Sequence, residues 1–104
     1  MDFRLVLTTC KDQAEARAIG KALVEERLAA CVNIVPGIES IYRWKGKIEE
    51  GSEALLLAKT RVELVHGLME RVKKMHSYAC PCIVVVPIVG GSEECCAWIN
   101  KETT

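Results

Sequence analysis

Val32-Asn33-Ile34-Val35-Pro36-Gly37-Ile38-Glu39-Ser40-Ile41-Tyr42-Arg43-Trp44 is followed by Lys45-Gly46, then by a return from Lys47 to Lys59 ending in the apolar run Ala54-Leu55-Leu56-Leu57-Ala58. The stretch from Cys31 to Thr60 reads as one long β-hairpin. Its first arm is rich in β-branched and aromatic residues, and Lys45-Gly46 leaves room for only a two-residue turn, with glycine where positive φ is needed. An arm running from Val32 to Trp44 would extend about 43 Å at the usual rise per residue. A compact chain of this length has a radius of gyration near ~13 Å, hence a diameter of roughly 33 Å. The hairpin is too long for its own body. Its tip, carrying Tyr42 and Trp44, is expected to project and find cover on another copy of the chain. Pro36-Gly37 marks a bulge or bend, since proline cannot donate to a ladder. The competing possibility is a strand broken there into two short pieces that stay on the domain.

Upstream, Phe3-Arg4-Leu5-Val6-Leu7-Thr8-Thr9 is a short β-rich run and Cys10-Lys11 a turn. Asp12 offers a helix N-cap, with Glu15 in the capping-box position. A helix is predicted from there to about Ala30. Positions 16, 19, 20, 23, 24, 27 and 28 carry six apolar residues of seven, whereas the opposite set carries five charges of seven, which is the amphipathic pattern of a helix. Arg27 is the exception on the apolar face and can snorkel. Downstream, Thr60-Arg61-Val62-Glu63 reads as a second capping box. It opens a helix to about His76 with Leu64, Val65, Leu68, Val72 and Met75 as its stripe, in which Gly67 suggests close packing. Ser77 to Pro81 is a loop. Cys82-Ile83-Val84-Val85-Val86-Pro87-Ile88-Val89 is the most continuous apolar run and reads as a buried central strand whose pairing Pro87 ends. Ser92 caps a last short helix that presents Cys95, Trp98 and Ile99 to the body.

The order is strand, helix, strand, strand, helix, strand, with a helical appendix. Two βα units joined by a hairpin give an α+β, ferredoxin-like split βαβ fold, with helices on one face of a four-stranded antiparallel sheet. Residues 1–104 form one domain, long enough for a core without staples. The strands stay apolar on both faces, which asks for oligomerisation through the sheet.

Fourteen basic and fourteen acidic residues cancel. That removes the electrostatic footprint of a nucleic-acid binder and of a polybasic membrane anchor. No apolar stretch approaches a membrane span. Met1-Asp2-Phe3-Arg4 carries neither the charged nor the apolar region of a secretory signal, so the expected location is the cytoplasm, with the six cysteines reduced.

Cys80-Pro81-Cys82 with His76 nearby is the best local constellation. Two thiolates and an imidazole suit Cu(I) or Zn(II), and cysteines flanking one residue in extended backbone can face the same way. The bland alternative is that Cys82 is a small hydrophobe starting a strand, as packing also explains Cys31, Cys95 and Cys96. Lys59 and Arg61, beside the start of the second helix, make a candidate anion site, against the plainer case of a solvated strand-end lysine. Tyr42 and Trp44 could stack on a ligand, but burial against a neighbouring copy accounts for them better. No Ser/His/Asp set, glycine-rich phosphate loop or spaced carboxylate pair is present, so no enzymatic reaction is expected.

Leu28-Ala29-Ala30-Cys31-Val32-Asn33-Ile34, Ser40-Ile41-Tyr42-Arg43-Trp44-Lys45-Gly46-Lys47-Ile48, Lys59-Thr60, His76-Ser77-Tyr78 with Pro81, and Trp98-Ile99 together resemble the CutA divalent-cation tolerance family over nearly the whole chain. The resemblance implies a tight homotrimer built through the long hairpin, with Ile41, Tyr42, Trp44 and Trp98 at its interface. It implies a cytoplasmic, non-enzymatic protein linked to tolerance of copper and other divalent ions. Likeness of that trimer to the nitrogen-regulatory PII proteins implies, as the alternative, small anionic ligands sensed in clefts between subunits, here beside Lys59, Arg61 and Tyr78. A purely structural trimeric scaffold is the third possibility. The family's His-Pro-Tyr-Glu-x-Pro-Glu segment appears as His76 to Cys82, with both carboxylate positions replaced and Cys82 at the second. The first-strand cysteine through which some relatives are proposed to bind copper aligns with Thr8, and Cys10 lies two residues on.

Overall fold

A computed structural model describes residues 2–104. Its ribbon is β2 (Cys31–Trp44) and β3 (Lys47–Arg61), joined at Lys45 and Gly46 with φ of 50° and 79°. Two successive positive φ values are the signature of the tight hairpin turn whose twist matches its strands. The ribbon gives the molecule its long axis, 44 Å against 25 and 22 Å, and residues 41–50 are all exposed. Pairing runs Val35 to Leu55 and resumes at Ile38 with Glu53, so Pro36 and Gly37 together oppose Ala54. This is the expected bulge, with Gly37 at φ 64° where a side chain would be strained.

β1 (Phe3–Cys10), α1 (Gln13–Glu25), α2 (Val65–Met75), β4 (Ile83–Ile88) and α3 (Glu93–Glu102) complete the chain. The antiparallel sheet has the order β2-β3-β1-β4, which is the ferredoxin-like α+β arrangement. Val6, Thr8 and Cys10 of β1, and Ala54, Leu56 and Ala58 of β3, alternate inward beneath Ile19 and Leu23 of α1 and Leu68 and Val72 of α2. Their neighbours Leu5, Leu7, Leu55 and Leu57 face the other way and are only half-covered.

Several expectations need correction. α1 stops at Glu25 and not near Ala30, because Arg27 turns left-handed at φ 59°. The Arg27 N–H then donates to the Val24 carbonyl, and the Leu28 N–H to the Leu23 carbonyl. That is a Schellman ending with arginine in the place usually held by glycine. Thr60 does not cap the second helix. It is still in β3, fully buried, and its hydroxyl donates to the Leu28 carbonyl at 2.7 Å, leaving a short 3-10 turn at Val62–Leu64 to start the helical segment. β4 is an edge strand, not a central one; Val84 is 49% exposed and Val86 39%. Pro87 keeps its place opposite Arg4, since an edge tolerates its missing N–H. α3 turns Cys96 and Ile99 to the body, and Thr103 just beyond it, while Cys95 and Trp98 face outward. Gly67 is exposed and no atom crowds it; Gly20 is the crowded glycine.

Candidate functional site

Where the ribbon leaves the sheet it meets the loop after α2, and between them lies an open groove of about 680 Å³. The ribbon contributes Glu39, Tyr42, Trp44 and Glu53; the loop contributes Tyr78, Cys80 and Cys82. Both cysteines are exposed free thiols. The Tyr78 hydroxyl donates to Glu53 Oε2 at 2.7 Å, so the two walls are tied together. Burial, with the adjoining Glu53 carboxylate, pushes the Tyr78 phenol above its ordinary range. At the other end of the loop, Thr8 Oγ1 donates to the Cys82 carbonyl at 2.8 Å. The residues lining the groove include two carboxylates and two thiols, and none is Lys, Arg or His.

Behind the groove, Cys10 at the end of β1, Glu15 in the first turn of α1 and His76 at the end of α2 bring S, O and N atoms within 4.8 Å of one another. Local sequence explains the convergence. Asp12 Oδ1 caps α1 by accepting from the Glu15 N–H at 2.8 Å, and the Glu15 carboxylate bends back to accept from the Lys11 N–H. Its other oxygen accepts from the Ser77 N–H at 2.9 Å. His76 Nε2 donates to the Thr9 carbonyl at 2.8 Å, while Nδ1 accepts from the Tyr78 N–H at 3.1 Å; that pattern defines a neutral imidazole with its proton on Nε2. Burial raises the Glu15 carboxyl, but the hydrogen bonds from Ser77 and Lys11 outweigh it and hold the group below the usual carboxylate range. Burial and the nearby carboxylates push the Cys10 thiol up to about 11. The donor set is of a kind that binds transition metals. Yet both imidazole nitrogens and both carboxylate oxygens already hold backbone partners, and burial disfavours the thiolate form of Cys10 that a metal would need. Glu15 and His76 form a hydrogen-bonded lock that fixes the loop, with Cys10 buried beside them.

The structure thus separates the residues grouped on sequence. His76 is buried with Cys10 and Glu15, and among the described residues it forms no close ligand group with Cys80 and Cys82, which face the groove with Tyr78. Lys59 sits on the outer face of β3, opposite Cys31 and Leu5. Arg61 holds the end of α3, donating to Thr103 Oγ1 at 2.9 Å and to the Thr103 carbonyl at 2.8 Å. Ile41, Tyr42 and Trp44 are 65%, 50% and 51% exposed along the ribbon, and Trp98 is exposed on α3. Sequence spacing does not single out Glu15, Glu39 or Glu53 as site residues. Only Glu15 carried a signal, its capping-box position, which sends a carboxylate back towards Cys10.

Fold and groove together define a ferredoxin-like α+β protein with an overhanging ribbon and an acidic, thiol-lined cleft at its root. Residues 4–102 match the family described as CutA1 divalent ion tolerance protein, and the chain belongs to that family. It is 52% identical over 99 residues to the Divalent-cation tolerance protein CutA of Thermus thermophilus, covering 95% of this chain and 96% of the relative. It is 43% identical over 95 residues to human Protein CutA, covering 91% of this chain and 53% of the human one; the chain thus spans about half the length of that relative. Among solved structures it is similar to the divalent cation tolerance protein of Thermus thermophilus, with a TM-score of 0.95 at 51% identity over 98% of this chain and 99% of that one. CutA from Xylella fastidiosa superposes with a TM-score of 0.96 at 41% identity over the full length of both. The family is named for tolerance of divalent ions and not for a reaction.

Proposed function

We propose that this chain is a cytoplasmic, non-catalytic, metal-binding tolerance protein that acts as a homotrimer and takes copper or another metal cation in the groove at the root of its ribbon. The observation that carries this is the lining of that groove: Glu39, Glu53, Cys80 and Cys82 present negative or soft donors, and no basic side chain faces them. Such a cleft attracts cations and repels phosphates and carboxylates. A PII-like role in sensing anions would rest on Lys59 and Arg61. Arg61, however, is already engaged with Thr103, and neither residue lines the groove.

Self-association is supported by the apolar surface left uncovered. Leu5, Leu7, Leu55 and Leu57 continue into exposed Val84 and Val86 on the outer face of the sheet, and the ribbon adds Ile41, Tyr42, Trp44 and Ile48. Contiguous apolar area of this kind marks an interface. Three copies is the number implied by the family resemblance.

The test is native mass by light scattering, together with metal content after titration, on protein kept reduced. The expected result is three times the 11.5 kDa chain mass with bound metal. A stable lone subunit, or protein that retains no metal, would overturn the proposal.

A further inference from the structure

The geometry points to Cys80 and Cys82 as a two-sulfur site for a soft, low-coordinate monovalent cation of the Cu(I) type, with the buried Cys10–Glu15–His76 group serving to position it. This rests on the cation-binding role of the groove and names the donors and the ion class.

Both thiols are exposed and both line the same groove, so they open to one space. Pro81 between them fixes its own φ and restricts the residue before it, which limits how far the two sulfurs can wander apart. The segment is tethered on either side. Tyr78, two residues before Cys80, holds Glu53 through its hydroxyl and packs its ring 4.8 Å from the His76 ring; the Cys82 carbonyl is held by Thr8. Glu15 fixes the start of the loop through Ser77. A pair of donors presented on an anchored segment loses little entropy on binding.

The choice of ion follows from what the groove lacks. A closed zinc site asks for four N, S or O ligands in a tetrahedron. Here the imidazole of His76 has both nitrogens occupied, Glu53 already accepts from Tyr78, and the other carboxylate, Glu39, is a hard oxygen donor on the ribbon wall, so Cys80 and Cys82 are the only soft ligands lining the cleft among the described residues. Two thiolates with little else select a soft ion content with few ligands. Binding forms two S–Cu bonds and breaks two S–H bonds. Both protons go to solvent and copper stays in the +1 state throughout, so no oxidant or reductant is involved.

The test is an anaerobic competition titration of the full-length protein with Cu(I) against a chromophoric Cu(I) chelator. It is run on wild type, the double variant Cys80→Ser/Cys82→Ser, Cys10→Ser, and the control double variant Cys95→Ser/Cys96→Ser, each checked for fold by circular dichroism and for native mass. Mass mapping of iodoacetamide-labelled thiols, with and without Cu(I), gives a second readout. The expected result is one Cu(I) per chain, protection of Cys80 and Cys82 from alkylation, and an affinity loss above about a hundredfold in Cys80→Ser/Cys82→Ser, beyond what loss of a merely supporting residue costs. The Cys95→Ser/Cys96→Ser control should bind like wild type, and Cys10→Ser, which touches only the supporting group, should lose no more than about a hundredfold. Undiminished binding by Cys80→Ser/Cys82→Ser overturns this assignment, and if Cys10→Ser then loses the ion, the buried group is the site and the cation-binding role stands. Wild type that binds neither Cu(I) nor a divalent metal overturns both.

Discussion

The hydroxyl of Tyr78 and the carboxylate of Glu53, 25 positions apart in the chain, meet at 2.7 Å and close one end of the groove. Tyr78→Phe removes that bond while keeping the ring beside His76. The expected cost is about 0.5–1.5 kcal/mol, the usual net worth of one hydrogen bond. The phenol pKa is raised in the folded state, so its contribution is complete below the unfolded phenol value near ~10 and is lost as pH climbs above it. Urea midpoints of wild type and Tyr78→Phe should therefore converge above that pH; a constant gap would refute the coupling.

Glu15 is the converse case. Its folded-state pKa is depressed, so its contribution is present above the unfolded carboxyl value and disappears as pH falls through the folded one. Glu15→Gln leaves one backbone N–H, of Lys11 or Ser77, facing another N–H. The variant should be less stable by about 1–3 kcal/mol at neutral pH. That difference should shrink below about pH 4. Denaturation curves at pH 7 and pH 3.5 provide the check.

Two glycines in helices should respond to alanine with opposite signs. A Cβ on Gly20 would lie 2.6 Å from Val32 Cγ2, a stiff β-branched neighbour. Overpacking of about 1–3 kcal/mol then outweighs the ~1 kcal/mol gained from helix propensity. Gly67 meets nothing closer than 3.5 Å, so Gly67→Ala should stabilise by about 0.5–1 kcal/mol. The double variant Gly20→Ala/Val32→Ala should recover much of the lost packing energy. Thermal melts at matched protein concentration decide all three.

Arg27 holds a left-handed conformation that costs an ordinary residue about 1–2 kcal/mol. Arg27→Gly relieves it, while giving up one hydrogen bond from Nη1 to the Glu102 carbonyl at 3.2 Å. The net expectation is a gain of about 0.5–1 kcal/mol, read as a higher urea midpoint at unchanged slope. A lower midpoint would mean that the contact with Glu102 dominates.

Element order and the fold were legible because the strong signals are local: the Asp12 cap, the Lys45-Gly46 turn, the Pro36-Gly37 bulge. Errors arose where tertiary partners override local grammar. Thr60 looked like a cap and was instead drawn to the Leu28 carbonyl; the end of α1 depended on Arg27 accepting a conformation that its side chain disfavours. The apolar run at Ile83–Ile88 suggests a central strand, because composition alone does not tell whether a strand has neighbours on both sides. Cys80 and Cys82 were found as neighbours in sequence. The buried association of His76 with Cys10 and Glu15 joins three elements, and no spacing rule announces it.

The ribbon beyond Glu53 has a further consequence. Two strands alone are at best marginally stable in water, and residues 41–50 touch no core. Within one subunit their hydrogen bonds have only each other for support. On the self-association proposed above, amide exchange at the tip slows with rising protein concentration while the sheet interior keeps one constant rate, making the outer turn a gauge of how crowded the solution is.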